Sequence, residues 1–122
     1  MPPADVVDAF LAAIVRNDLD AACALVTEDL EYDNVPMGKV FGPDGLRGAL
    51  EPFLATMQHV EWTVHHQVAQ GDVVMNERTD TFTLADGRAL AIPVAGLFVL
   101  RDGRVRLWRD YFDLGSYRAQ LA

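Results

Sequence analysis

The stretch Glu77-Arg78-Thr79-Asp80 sets a guanidinium and a carboxylate two positions apart, within a run, Asn76–Leu84, that alternates like a β-strand. Successive strand side chains point to opposite faces, so Arg78 and Asp80 share a face with Phe82 and Leu84. Glu77, Thr79, Thr81 and Thr83 share the other, solvated face. Charges on an apolar face are costly unless paired and hydrogen-bonded, so Arg78 and Asp80 need partners. Asp110 supplies a second carboxylate. One arginine with two aspartates in an apolar cavity is one positive charge short of neutrality, which favours holding one proton across the set. That leaves one carboxylic acid and one carboxylate, an acid–base pair.

Four strand-like runs position these groups: Val60–Ala69, Val73–Leu84, Arg88–Leu100 and Arg104–Phe112. The last three are joined by Asp86-Gly87 and Asp102-Gly103, strong hairpin signals, so the runs form an antiparallel meander. With three-residue loops at both turns, Arg78 faces Val94, which faces Asp110, and Asp80 faces Ile92, which faces Phe112. With two-residue loops, Arg78 and Asp110 flank Ala95 instead. The first register is expected, because it gathers Ile92, Val94 and Phe98 on the face of Phe82, Trp108 and Phe112. In both, Arg78 and Asp110 share a row, separated by roughly 10 Å of backbone. Pro93 is expected to remove one ladder hydrogen bond.

Ahead of the strands the period is helical. Asp5–Arg16 carries Val6, Val7, Phe10, Leu11 and Ile14 on one stripe, and Asn17-Asp18 can cap a second helix, Leu19–Thr27. A strand, Leu30–Val35, then places Tyr32 and Asn34 on one face. Gly42-Pro43-Asp44-Gly45 opens a third helix, with Leu46, Leu50, Phe53, Leu54 and Met57 as its stripe and a kink expected at Pro52. Helices followed by a meander indicate one α+β domain over residues 1–122, with helices covering one face of a curved sheet.

Composition removes several chemistries. The net charge of −8 argues against nucleic acid and anionic membranes as partners. No apolar run approaches the ~20 residues of a membrane span, and the start lacks the features of a signal peptide. A single cysteine, Cys23, permits no internal disulfide, and a cytoplasmic location is expected. Ser116 is the only serine and Lys39 the only lysine, so a nucleophile elbow is absent and Schiff-base work is disfavoured.

Tyr32-Asp33-Asn34-Val35-Pro36, Glu77-Arg78-Thr79-Asp80 and Trp108-Arg109-Asp110-Tyr111-Phe112-Asp113-Leu114 together resemble the limonene-1,2-epoxide hydrolase family, within the SnoaL-like, ketosteroid-isomerase-like group. The likeness runs from about Asp5 to the C-terminus, without the N-terminal extension of some members. It implies a cone-shaped, curved mixed sheet with about three N-terminal helices on its concave side. It also implies one-step hydrolysis of a small or medium hydrophobic epoxide to a vicinal diol. In that scheme Asp110 deprotonates a water held by Tyr32 and Asn34, Asp80 protonates the departing oxygen, and Arg78 bridges the two aspartates. Phe82, Ile92, Val94, Trp108 and Phe112 are expected on the substrate pocket. No metal or cofactor is implied, and a homodimer is.

Plainer readings stand beside these. The three charged groups could be a structural ion network, and the fold could serve a SnoaL-like cyclase, a ketosteroid-type isomerase or a non-catalytic binding module. Proton abstraction from carbon needs no positioned water, so Tyr32 and Asn34 favour hydrolysis. His65 and His66, adjacent on a strand, should point to opposite faces, with His66 toward the core or pocket wall. Asp113 falls out of phase with Asp110 and suits the surface or a C-terminal helix. Cys23 is expected to pack between helices.

Overall fold

The computed structural model describes Met1–Ala122. Helix α1 (Pro3–Val15) starts on proline, where no backbone donor is needed, and buries Val6, Val7, Phe10, Leu11 and Ile14. Helix α2 (Leu19–Ala24) is capped by Asp18, whose carboxylate accepts from the Ala21 N–H at 3.1 Å. It ends earlier than the expected Thr27 because Val26 already belongs to strand β1 (Val26–Asn34). An unanticipated short strand, β2 (Gly38–Phe41), folds back on β1 through Val35-Pro36-Met37. Helix α3 (Gly42–Ala55) continues through Pro52 and buries Leu46, Leu50 and Leu54. Strands β3 (Met57–Gln70), β4 (Val73–Leu84), β5 (Ala89–Arg101) and β6 (Arg104–Tyr111) follow, then helix α4 (Leu114–Leu121).

The fold is α+β: one curved, unclosed six-stranded sheet, ordered β2-β1-β6-β5-β4-β3, with four helices. β1 and β6 pair in parallel and every other pair is antiparallel, so the sheet is mixed. The main core lies where Phe10 and Ile14 of α1 and Leu46 and Leu50 of α3 meet Leu30, Phe98 and Trp108 of the sheet. The opposite face leaves Val68, Val73, Met75 and Tyr111 exposed. No helix is long and apolar enough to cross a membrane.

Two register details shape the site. The β4–β5 hairpin has the expected three-residue loop, and Arg78 faces Val94 while Asp80 faces Ile92. The β5–β6 hairpin does not. Asp102 and Gly103 both take positive φ (53° and 77°), giving a two-residue turn, and a further shift follows between Val99 and Leu100. Asp110 therefore faces Gly96, not Val94 or Ala95. In β3, a bulge between Val64 and His66 adds one residue, which resets the alternation beyond it. His65 and His66 then both lie outside, bonded to Thr79 (2.8 Å) and Glu77 (2.9 Å), so His66 is neither core nor pocket wall.

Pro93 removes no ladder bond. β5 pairs with β6 only from Ala95 onward, and the Ala91 N–H on that open side is taken by Gln120 of α4 at 2.9 Å. N–H groups two residues apart point the same way, so Pro93 presents its missing donor to the side where no strand lies.

Candidate active site

Each polar group of the site is delivered by strand alternation. Arg78 and Asp80 come from the inner face of β4, Asp110 from β6, and Asn34 lies directly beside Asp110 across the parallel β1–β6 ladder, as Tyr32 lies beside Trp108. The Arg78 side chain is fully buried. Its Nε donates to Asp80 Oδ1 at 2.8 Å, and its Nη2 donates to Asp110 Oδ2 at 2.5 Å and to Asp80 Oδ2 at 3.3 Å. One planar fork thus holds both carboxylates.

The front of the cluster opens on a cavity of about 420 Å³. Asp80, Asp110, Tyr32 and Asn34 line it, with Phe82, Ile92, Val94 and Phe112 supplying apolar wall. Val40, Leu50, Phe53, Trp62 and Tyr117 complete much of the rest. Arg78 is behind the aspartates and off the wall. Trp108 is also behind it: the ring is fully buried, stacked on Tyr32 at 4.1 Å, and its indole N–H donates to Asp110 Oδ1 at 2.8 Å. Trp108 was expected to touch a ligand. It braces the phenol and a carboxylate instead, because its bulk fills the space between α1 and β6, edge-on to Phe10.

Burial and an incomplete counter-charge set the electrostatics. Burial pushes Asp80 up to about 6, against the opposing pull of Arg78. Asp110 is likewise raised by burial, although Arg78 and the Trp108 N–H favour its anion. Burial alone would lower Arg78, but the two aspartates reverse this and keep it charged. Two carboxyls raised by burial around one fixed cation favour the uptake of one proton across the set. The Tyr32 phenol is raised by burial and by the Asp110 charge, so it stays protonated and can donate or accept.

Several contributors were not singled out in the sequence. Asn76 Oδ1 accepts from Arg78 Nη1 at 3.2 Å. Gly96 lies where the cluster crosses β5, and a Cβ there would stand 2.6 Å from Arg78 Nη1 and 3.0 Å from Asp110 Oδ1. A glycine inside an apolar strand marks such a close approach. Trp62, the strand partner of Asp80, places its ring 5.3 Å from the guanidinium carbon. Asp113 caps α4 through the Gly115 N–H at 2.9 Å and takes no part in the cluster. Cys23 packs at the α2–α3 contact, beside Arg47 and Pro43. No group of three or more His, Cys, Asp or Glu side chains is arranged to hold a metal ion.

Comparison with known proteins identifies the family. Residues 1–121 match the limonene-1,2-epoxide hydrolase catalytic domain. Epoxide hydrolase EphG of Mycobacterium tuberculosis (strain ATCC 25618 / H37Rv) is 39% identical over 111 residues, which is 88% of this chain and 71% of that protein. The solved structure of an M. tuberculosis LEH-like epoxide hydrolase superposes with a TM-score of 0.86 at 32% identity, covering 98% of this chain and 88% of that one. A Shewanella putrefaciens CN-32 protein assigned as a SnoaL-like polyketide cyclase shares the fold alone, with a TM-score of 0.90 at 17% identity over 99% of this chain and 97% of its own. The chain belongs to the limonene-1,2-epoxide hydrolase family, and that membership, with a curated epoxide hydrolase among its relatives, supports an epoxide hydrolase activity.

Proposed function

We propose that the protein adds water to a small or medium hydrophobic epoxide in one step, giving a vicinal diol. The observation that carries this is a single buried guanidinium holding two cavity-lining carboxyls, one raised to about 6. Asp110, as carboxylate, takes a proton from a water placed between it, Asn34 and Tyr32. The water oxygen bonds to one epoxide carbon as the C–O bond on that carbon breaks. Asp80, as carboxylic acid, gives its proton to the departing oxygen. One proton has then moved from Asp80 to the diol and one from water to Asp110, and exchange between the two aspartates restores the start. Arg78 stabilises whichever carboxyl is charged, so the transfer requires no rearrangement of the cation. The apolar wall of Phe82, Ile92, Val94 and Phe112 holds the hydrocarbon part and excludes bulk water. This chemistry calls on no metal or cofactor.

Because Arg78 engages both aspartates, they are suited to proton transfer and blunted as nucleophiles. Single turnover in ¹⁸O-labelled water, with enzyme in excess, is therefore expected to place label in the diol at once and none in Asp80 or Asp110. Unlabelled first-turnover diol with label later in an aspartate would establish a covalent ester and overturn the one-step route. A panel of limonene, cyclohexene, styrene, long-chain and steroidal epoxides, scored for diol, fixes the substrate class. The same reading includes a homodimer, placed on the exposed outer sheet face at Val68, Val73 and Met75. Met75→Glu should shift the sedimentation of the protein toward monomer.

A further inference from the structure

Arg78 has one nitrogen, Nη1, that neither aspartate uses, and its partner begins a chain of hydrogen bonds leading out of the site. Arg78 Nη1 donates to Asn76 Oδ1 at 3.2 Å, Asn76 Nδ2 donates to Gln67 Oε1 at 3.1 Å, and Gln67 Nε2 donates to Asp8 Oδ1 on α1 at 2.9 Å. All three bonds run in one direction. The chain begins on a guanidinium, which can only donate, and ends on a carboxylate, which in its ionised form can only accept. Turning either amide over would set donor against donor or acceptor against acceptor, so both amides have a single permitted orientation. Asn76 is buried with its oxygen toward Arg78, and the exposed Asp8 fixes that orientation from the far end.

The β3 bulge makes the chain possible. Without the extra residue near His65, the alternation that turns Trp62 inward would turn Gln67 outward; with it, Gln67 pairs with Asn76 on the inner face. The acceptor is also neutral. A carboxylate at position 76 would serve Nη1 equally well as a hydrogen-bond acceptor but would add a third negative charge around one cation. An amide oxygen occupies Nη1 without altering the count of one cation and two carboxyls on which the shared proton depends.

We propose that Asn76 is a positioning residue for Arg78, held the right way round by Gln67 and Asp8, and that this relay sets how the guanidinium is divided between Asp80 and Asp110. Its kinetic consequence rests on the proton-transfer reading given above; its geometry does not. Four variants separate the roles. Asn76→Leu removes the acceptor, Asn76→Asp makes it charged, Asn76→Thr keeps a neutral acceptor in a strand-compatible side chain, and Gln67→Leu cuts the relay without touching Arg78.

The test has two readouts on folded protein: ¹³C-detected titration of the Asp80 and Asp110 carboxyls, and kcat and KM across pH. The shared-proton titration should rise most in Asn76→Asp, by about one unit, less in Asn76→Leu, least in Gln67→Leu, and stay near wild type in Asn76→Thr. In parallel, kcat should fall about tenfold in Asn76→Leu with KM changed less than about twofold, the mark of an interaction that acts on chemistry and not on binding. Carboxyl titrations in Asn76→Leu and Gln67→Leu indistinguishable from wild type would overturn the relay. If wild type forms no diol from any epoxide in the panel, the hydrolase reading fails while the titrations still decide the relay.

Discussion

Neighbouring residues on β6, Arg109 and Asp110, belong to two ion clusters on opposite faces of one sheet, and only the inner cluster is one cation short of its carboxylates. Outside, Arg109 donates to Asp33 (3.1 Å) and Glu31 (3.0 Å), and Lys39 approaches Glu31 (3.7 Å), so two cations meet two carboxylates. Inside, one cation meets two carboxylates. The Arg109 side chain is 29% exposed, that of Arg78 not at all. Water and salt reach the outer cluster through Arg109, Glu31 and Lys39, although the Asp33 side chain itself is only 11% exposed. The inner set has no such screening. Similar residue types thus give a balanced, partly exposed clamp on one face, and on the other a buried set one charge short, which favours uptake of a proton.

The largest expected effects follow from removing charge on each face. Asp80→Asn and Asp110→Asn should each lower kcat by ~10²–10⁴-fold with the fold retained by circular dichroism. Asp33→Asn, one strand position from Asn34 but on the outer face, leaves Arg109 held by Glu31 and should leave kcat within about twofold. Equal losses on both faces would mean that the inner cluster acts through stability and not chemistry. Likewise Arg78→Lys should be severe, because an ammonium cannot hold two carboxylates in one plane, whereas Arg109→Lys should be mild.

A smaller effect is expected where the inner cluster crosses the sheet. The Cβ of Gly96→Ala would meet Arg78 Nη1 at 2.6 Å, Asn76 Oδ1 at 2.9 Å and Asp110 Oδ1 at 3.0 Å. Overpacking of this kind costs about 1–3 kcal/mol, and kcat should drop with it as the fork is displaced. Ala95→Gly, on the outer side of the same strand, controls for backbone flexibility and should leave kcat near wild type.

The smallest effect concerns pH and stability. Burial pushes Asp80 up to about 6 in the folded chain, against 3.8 for an ordinary aspartate. A raised folded value means that its contribution is fully present below about 4 and is lost as pH rises through about 6. Asp80→Asn removes that penalty while Arg78 retains Asp110. The variant should therefore melt a few degrees above wild type at pH 8, with the gap closing toward pH 4. Asp33→Asn should show no such gain, so stability and activity part company only on the inner face.

How much of this could be read from residues alone depended on local backbone geometry. The β4 run, its bounds and its pairing to β5 follow from strict alternation and one Asp-Gly turn. The β5 register on β6 did not follow: the two-residue Asp102-Gly103 turn, the alternative to the preferred loop, is the one that forms, and the further shift between Val99 and Leu100 has no sequence signal. The inner-face assignment of Asp110 survived that error because the two shifts together move the pairing by a whole pleat. No pleat rule protected His66: one bulge moved it outside and brought Gln67 in. The wall role expected for Trp108 failed for a different reason, since parity gives the face but not the depth at which a large ring stops. Gly96 and Asn76 carried readable signals, a glycine within an apolar strand and a polar residue in phase with Arg78, whose meaning depended on knowing what crossed above them.

The parallel β1–β6 pairing joins Asn34 to Asp110. Every other ladder connects strands that follow one another in the chain, so this contact closes by far the longest loop in the sheet. Contacts of large sequence separation carry the greatest entropic cost before they are rewarded and tend to form late. During synthesis Tyr32 and Asn34 leave the ribosome long before the strand that carries Asp110. Tyr32 and Asn34 therefore meet Asp110 only after nearly the whole chain has emerged, and a nascent chain stalled before β6 would have a meander, Arg78 and Asp80, but not the complete cluster.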